Sequence, residues 1–421
     1  MERAVDTGRA VDTGGVGRRI AYWRERRGYT QADFGRLMGQ SKRWVQDFEG
    51  GKRQADPRLS VLARAAQVLR VPLEHLLADG PPDRSAVVAA PAGALAFVDA
   101  LYQYDALAHP DLRDEDPPSP AQLRRRIAYC CEAFQACHYA ALSRQLPDLL
   151  LHAQRAAASV PVQRECEAQA LLSRVFQLTA SVLHKYGQAA AVQAAVASDR
   201  ALAAAERSGD PVQIGAASRR VAKSLVQQNR PQSAVDFAMA AARRLTGDLA
   251  ASGPLGLSTL GMLYLNAAIA ASAQPHSTAA VRTAMGYVDE AREVARLQGA
   301  DLNEDWTMFG PTNVELYRVD VLMRCEDGWS ALDAADGIDT RDLESMTKER
   351  RAQHHLTRAR AALLVRRNDD AVESILEAER FAGEEVHGRR SGIGLVQDVI
   401  DGTLVPSGRL RALAERCGLR A

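Results

Sequence analysis

The chain has 421 residues, 25% of them charged, and a formal net charge of +1. This length allows about two or three domains, and an aromatic content of 5% with only short Val/Ile clusters argues against extensive β-structure. Six cysteines lack paired CxxC spacing and follow no export signal, which favours reduced cysteines that pack between helices in a cytoplasmic protein. The 48 arginines against five lysines are typical of a high-GC bacterial genome.

The N-terminal segment is a tandem repeat. Residues 3–8 read Arg-Ala-Val-Asp-Thr-Gly, and residues 9–14 repeat them. Such a segment can bury little apolar surface, so we predict a disordered tail over residues 1–16. Its acidic residues offset its arginines, so the tail carries little net charge.

Residues 30–53 have the pattern of two short helices joined by a glycine turn. Thr30 and Asp33 have the capping-box spacing that starts a helix. Gly39 suits the left-handed residue that ends this helix, and Ser41 is a favoured N-cap for the next one. Gly35 predicts a close approach of the two helices. An ordinary amphipathic helix pair is the alternative to a second helix that enters the DNA major groove and reads base edges.

The charge is unevenly distributed. Residues 1–79 contain 15 Lys/Arg and 10 Asp/Glu, so this part carries a net charge of +5 and the rest of the chain −4. We therefore expect electrostatic attraction to DNA phosphates to be confined to the N-terminal part.

Further segments match a known family. They are residues 19–24 (Arg-Ile-Ala-Tyr-Trp-Arg), the Thr30-Gln31 start, Gly39, residues 48–52 (Phe-Glu-Gly-Gly-Lys) and residues 62–73. Together they make the chain from about Gly17 to Leu77 resemble the lambda-repressor-like, or Cro/Xre-type, helix-turn-helix regulators. Gly50 and Gly35 depart from the family, which usually has a polar residue and an alanine at these positions.

The resemblance implies a five-helix domain, here residues 17–79, that binds a double-stranded DNA operator through a reading helix at 41–49. Side chains of the reading helix would face the bases, and flanking side chains would hold phosphates. The N-terminal tail would be either an arm that enters the minor groove or a neutral extension, and its acidic residues favour the extension. The implied base contacts are Ser41, Lys42, Arg43 and Asp47, and the implied phosphate contacts are Gln31, Lys52 and Arg53.

After Gly80-Pro81-Pro82, which predicts a linker over residues 80–91, the apolar spacing of three and four residues predicts helices throughout. Similar helical segments end near Gly209, Gly247, Gly299 and Gly383. Hairpins of about 40 residues resemble degenerate tetratricopeptide repeats. The predicted fold is all-α, a helix-turn-helix domain followed by a tetratricopeptide-like α-solenoid over residues 92–421.

This layout resembles quorum-sensing regulators of the Rgg, PlcR and NprR kind. It also resembles actinobacterial regulators that carry Phe-Gly-Pro-Thr-Asn-Val, here residues 309–314. The resemblance implies a homodimer on an inverted-repeat operator and an array that senses a peptide or small-molecule effector. A scaffold that anchors to DNA and recruits a protein partner is the alternative.

Two segments could form an effector pocket. Residues 249–281 contain no Asp, Glu, Lys or Arg, and their polar residues and prolines favour a helix buried in the array over a membrane span. In this helix Met262 and Asn266 could contact a ligand, although Asn266 could instead bond to nearby backbone. After Gly310-Pro311, Asn313 and Tyr317 lie on a polar stripe that suits either peptide recognition or an exposed outer face.

No nucleophile, acid and base converge by local spacing, and no phosphate-binding loop or metal-ligand motif is complete. We therefore expect no enzymatic activity, no cofactor and no metal.

Overall fold

A computed structural model describes residues 16–27, 29–50, 58–69, 71, 73, 76, 92–102, 118–403 and 405–419. The chain divides into two units, Met1–Val88 and Ala89–Ala421. The regular structure of the described residues is helical, apart from an isolated β-bridge between Leu302 and Phe309. The predicted all-α fold, a small helical domain followed by a helical array, is confirmed. The predicted tail, except Val16, and the predicted linker lie outside the described residues.

The first unit contains the described helices α1 (Val16–Arg26), α2 (Gln31–Met38), α3 (Lys42–Glu49) and α4 (Leu59–Leu69). Both α1 and α2 pack against α3 and α4. Their apolar faces share one core, which includes Ile20, Phe34, Val45, Phe48 and Leu69. Only scattered residues of the predicted fifth helix are described.

The second unit consists of helical hairpins. Its helices are α5 (Ala92–Tyr102), α6 (Pro120–Gln135), α7 (Tyr139–Ser159), α8 (Glu165–His184), α9 (Ala191–Ser208), α10 (Pro211–Gln227), α11 (Pro231–Ala251), α12 (Gly253–Ser272), α13 (Thr278–Gln298), α14 (Pro311–Arg324), α15 (Gly328–Asp336), α16 (Thr340–Ser345), α17 (Lys348–Leu364), α18 (Asn368–Phe381), α19 (Gly383–Val386), α20 (Arg390–Asp401) and α21 (Gly408–Arg416). Gly209 and Gly299 end α9 and α13 in the left-handed conformation, with φ of 69° and 85°. The predicted end at Gly247 is wrong, because α11 continues to Ala251.

These hairpins close into a ring. Successive inner helices contact one another in the order α6, α8, α10, α12, α14 and α17, and α17 contacts α6 again. Each inner helix packs against the outer helix that follows it, namely α7, α9, α11, α13, α15 and α18. The sequence predicts stacked hairpins but gives no indication of this closure.

A buried group of charged side chains joins the first and last hairpins of the ring. Glu385 is fully buried and pairs with Lys185 at 2.8 Å and with Arg389 at 2.5 Å. Tyr139 of α7 donates a hydrogen bond to the same carboxylate, and Lys185 also pairs with Glu349 of α17. Because a buried ion is tolerated only when it is paired and hydrogen-bonded, these contacts fix the closure specifically.

The uncharged stretch predicted as a buried helix contains α12. Among the described residues, α12 is the helix long and apolar enough to cross a membrane by length and composition. Most of it is buried, because it packs between α10, α11, α13 and α14. The prediction of a buried helix is confirmed.

The segment before α14 spans the ring. Phe309 is fully buried and lies against α12, where a Cβ on Gly261 would come within 1.9 Å of the ring carbon Cζ. Asp301 accepts a hydrogen bond from the backbone N–H of Thr312 at 3.1 Å and so supplies a cap for α14. At the far side Asp305 pairs with an arginine of α8. The predicted motif at 309–314 therefore anchors a segment that reaches from α12 to α8.

Candidate functional site

The turn between α2 and α3 forms as the sequence predicts. Thr30 and Asp33 make both hydrogen bonds of the capping box at the start of α2. Gly39 ends α2 with a φ of 69°, and the Ser41 hydroxyl accepts a hydrogen bond from the backbone N–H of Trp44 at 3.1 Å. Each bond satisfies a backbone group that a short helix leaves free at its end. The local sequence therefore determines where α2 ends and where α3 begins.

Glycines allow the helices of the first unit to approach closely. A Cβ on Gly35 would lie 2.8 Å from the carbonyl oxygen of Gln40 in the turn, and one on Gly17 would lie 2.4 Å from that of Phe48 at the end of α3. Both distances are too short for a side chain, so the close approach predicted at Gly35 is confirmed.

A buried salt bridge ties α3 to α1 and α2. Arg24 Nε lies 2.5 Å from Glu49 Oε1, and Arg24 Nη2 lies 3.1 Å from Glu49 Oε2. The side-chain amide of Gln31 donates to the same carboxylate at 2.9 Å, and Arg24 Nη1 donates to the Tyr29 carbonyl at 2.8 Å. A bidentate guanidinium–carboxylate pair fixes orientation as well as distance. Three helices therefore meet at the last residue of α3.

The opening turn of α3 faces solvent. Ser41, Lys42 and Arg43 are exposed, whereas Phe48 is buried and stacks on the half-buried Trp44 with ring centroids 4.6 Å apart. Polar and basic side chains on the first turn of a supported helix are the groups that contact base edges in helix-turn-helix proteins. This exposed first turn is the candidate DNA-binding surface.

The other predicted DNA contacts lie in different settings. Gln31 is the first residue of α2, and its amide is bonded to Glu49 inside the first unit. Asp47 is half-buried on α3. Lys52 and Arg53 lie outside the described residues.

Two of the four predicted effector contacts, Met262 and Asn313, meet between α12 and α14, and Asn266 lies one turn further along α12. Asn313 is fully buried; its Nδ2 donates to the Thr307 carbonyl at 3.2 Å and lies 3.8 Å from Met262 Sδ. Asn266 Nδ2 donates to the Met262 carbonyl at 2.7 Å. The hydrogen-bonding capacity of both asparagines is thus partly taken up by neighbouring backbone.

The fourth, Tyr317, faces a different group. Its hydroxyl accepts a hydrogen bond from Arg350 Nη1 of α17 at 3.3 Å, and the Arg350 guanidinium carbon lies 5.3 Å from the centroid of its ring. Tyr317 therefore lines the interior of the ring and does not take part in the contact between Asn313 and Met262.

Sequence reasoning missed the cations of the ring interior. They are Arg174 on α8, Arg219, Arg220 and Lys223 on α10, and Arg350 on α17. A signal was available, since α10 carries three cations within five positions and no Asp or Glu. We call these five side chains the interior cations.

The cysteines agree with the expected packing role except at one position. All six are free, and Cys130, Cys131, Cys137 and Cys325 are buried between helices. Cys166 is exposed at the start of α8, so it does not pack as predicted. Within the described part of the chain, no group of three or more His, Cys, Asp or Glu side chains could hold a metal ion.

Comparison with known proteins bears on the first unit. A family model described as a helix-turn-helix domain matches residues 16–78. No curated protein and no solved structure matches the chain. The match covers the α2–turn–α3 unit and the exposed turn described above, so the chain carries a helix-turn-helix domain of the DNA-binding kind.

Proposed function

We propose that this protein is a sequence-specific transcriptional regulator that reads double-stranded DNA through α3 and responds to an effector bound by its ring of helical hairpins. The exposed opening turn of α3, within a matched helix-turn-helix domain, carries the DNA-binding part of this proposal. We further propose that the protein is cytoplasmic and acts by binding rather than by catalysis.

The charges and the support of α3 favour this function. Exposed Lys42 and Arg43 stand at the N-terminal end of α3, where the backbone N–H groups also favour a nearby phosphate. The salt bridge at Glu49 holds the opposite end of the same helix. A reading helix needs both features, because base edges are discriminated only when side chains are held in register.

Arg43→Ala is expected to reduce sequence preference more than total affinity. Arginine can bond a guanine edge at two points, a contact worth about 1–3 kcal/mol of discrimination. The measurement selects binding sites from a random duplex library with the parent protein and then compares the affinities of parent and variant for the best site and for mismatched sites.

Lys52→Ala serves as the comparison, because we assign Lys52 to a phosphate. It should reduce the affinity for all DNA sequences by a similar factor. It should also reduce the slope of log affinity against log salt concentration by about one. An Arg43→Ala protein that discriminates between sites as well as the parent would show that α3 is not the reading helix.

We also expect a homodimer on an inverted-repeat operator. One helix-turn-helix domain covers a single half-site, and proteins of this kind dock as two-fold pairs with half-sites one or more helical turns apart. Light scattering of the free protein and of its operator complex measures the stoichiometry. A monomer in both states, together with selected sites that lack two-fold symmetry, would exclude this arrangement.

A further inference from the structure

The interior of the ring carries positive charge that its own acids do not neutralise. Its buried carboxylates are engaged elsewhere, in ion pairs with Arg174, Lys185 and Arg389. By contrast, three side chains of α10 form no ion pair within the described residues: Arg219, Arg220 and Lys223. These three cations therefore have no direct carboxylate partner among the described residues.

All three lie near groups on other helices of the ring. Arg219 lies within electrostatic range of Tyr317 on α14, Arg350 on α17 and Arg174 on α8. Among the inner helices, α10 packs against α8 and α12 but lies across the ring from α14 and α17. Arg219 can interact with groups on those two helices only across the interior.

Arg219 is the least compensated of the three. Arg219 is buried, with 6% of its surface exposed. Its Nε and Nη1 have no hydrogen-bond partner among the described residues. Burial lowers the pKa of Arg219 well below its usual value. A buried guanidinium with unused donors is unfavourable unless an anion pairs with it.

Lys223 shows that the interior is accessible. Burial by the surrounding protein, with the nearby Lys185, lowers the pKa of Lys223 to about 7, yet its side chain is exposed to solvent. Because Lys223 is exposed, this side of α10 is open to solvent rather than packed against another helix. On the same helix, burial and the neighbouring Arg174 lower the pKa of Arg220 to about 10.

We propose that the ring is the receptor for a compact anion with at least two negative charges on phosphate or carboxylate groups, bound by Arg219, Arg220 and Lys223 of α10 and faced by Arg350 across the interior. Guanidinium groups bind the oxygens of both groups in pairs. The closed ring suits a compact ligand better than an extended peptide. This inference rests on the proposed regulatory function and names the chemical class of its effector.

The test uses the full chain with inorganic pyrophosphate and with citrate, each against KCl of equal ionic strength. Titration calorimetry and thermal unfolding follow binding. We expect one of the two anions to raise the unfolding temperature above the KCl value, and its identity distinguishes a phosphate ligand from a carboxylate ligand. The proposal would be overturned if neither anion raised the unfolding temperature above the value in KCl.

Arg219→Gln separates a binding role from a structural one. It should reduce the affinity for the anion by about tenfold to a hundredfold, the effect of losing one charge-assisted hydrogen bond. Without the anion, the variant should unfold at the parent's temperature or above, because an uncompensated buried charge has been removed. A less stable variant that keeps the full anion response would show that Arg219 only supports the fold.

Arg207→Gln is the matched control. Arg207 lies on outer helix α9, where its side chain is 60% exposed and pairs with Glu165, so the same substitution should leave the anion response unchanged. Binding to the selected DNA site is measured on the same preparations. Intact DNA binding without an anion response overturns the anion site alone, whereas an anion response without sequence-specific DNA binding overturns the regulatory function.

Discussion

Glu49→Ala is expected to lower the free energy of unfolding of the first unit by about 3–5 kcal/mol, the cost of breaking one partner out of a buried ion pair. The substitution leaves the buried guanidinium of Arg24 without its carboxylate and the amide of Gln31 without its acceptor. Since the same carboxylate joins α3 to α1 and α2, operator binding should be lost as well. Hydrogen exchange of the α1–α3 amide groups in the full chain measures the stability of this unit separately.

Two variants control this result. Glu49→Gln keeps an acceptor for both partners but removes the charge, so we expect a smaller loss. Gln46→Ala changes an exposed position one turn earlier on α3 and should alter stability by no more than about 0.5 kcal/mol. Equal amide protection in Glu49→Ala and the parent would show that the ion pair does not support α3.

The sequence predicts the helix-turn-helix well because its determinants are local. The capping box at Thr30, the left-handed Gly39 and the N-cap at Ser41 each act within four residues. The salt bridge between Arg24 and Glu49 joins residues 25 positions apart, and no local pattern pairs these two residues. For the same reason the sequence does not indicate the hydrogen bond from Gln31 to Glu49.

The ring illustrates the same difference between local and distant determinants. Helix ends such as Gly209 and Gly299 are visible in the sequence, because a left-handed residue favours glycine. Closure depends on contacts such as that of Lys185 with Glu385, 200 positions apart. Spacing alone also cannot distinguish a core asparagine from an exposed one, and Asn313 is fully buried.

The interior cations could have been found from sequence with one further step. A helix that carries Arg219, Arg220 and Lys223 but no acid cannot neutralise its own charge. It must expose these groups, pair them with another helix or offer them to an anion. The structure removes the first two outcomes for Arg219, since it shows Arg219 buried and the carboxylates of the ring paired with other cations.

Phe309→Ala is expected to lower the free energy of unfolding of the second unit by about 3–5 kcal/mol, as for other fully buried aromatic side chains. The aromatic side chain of Phe309 packs against Gly261 on α12 and anchors the segment that reaches α8. Chemical denaturation of the full chain, followed by the loss of helical circular dichroism, measures the change. Phe381→Ala, at a half-buried position on α18, should cost less.

Gly261→Ala tests the same contact from α12. In the parent, the added Cβ would come within 1.9 Å of the aromatic ring, and we expect a loss of about 1–3 kcal/mol from overpacking. In Phe309→Ala the same methyl group enters the space left by the aromatic side chain. The double variant should therefore lose less free energy of unfolding than the sum of the single losses. Gly286→Ala on α13, where no atom lies within 4 Å of the new Cβ, should instead stabilise its helix by about 0.5–1 kcal/mol and add independently to Phe309→Ala. Additive losses for Gly261→Ala and Phe309→Ala would contradict the packing of Phe309 on α12, and with it the anchor of the segment that spans the ring.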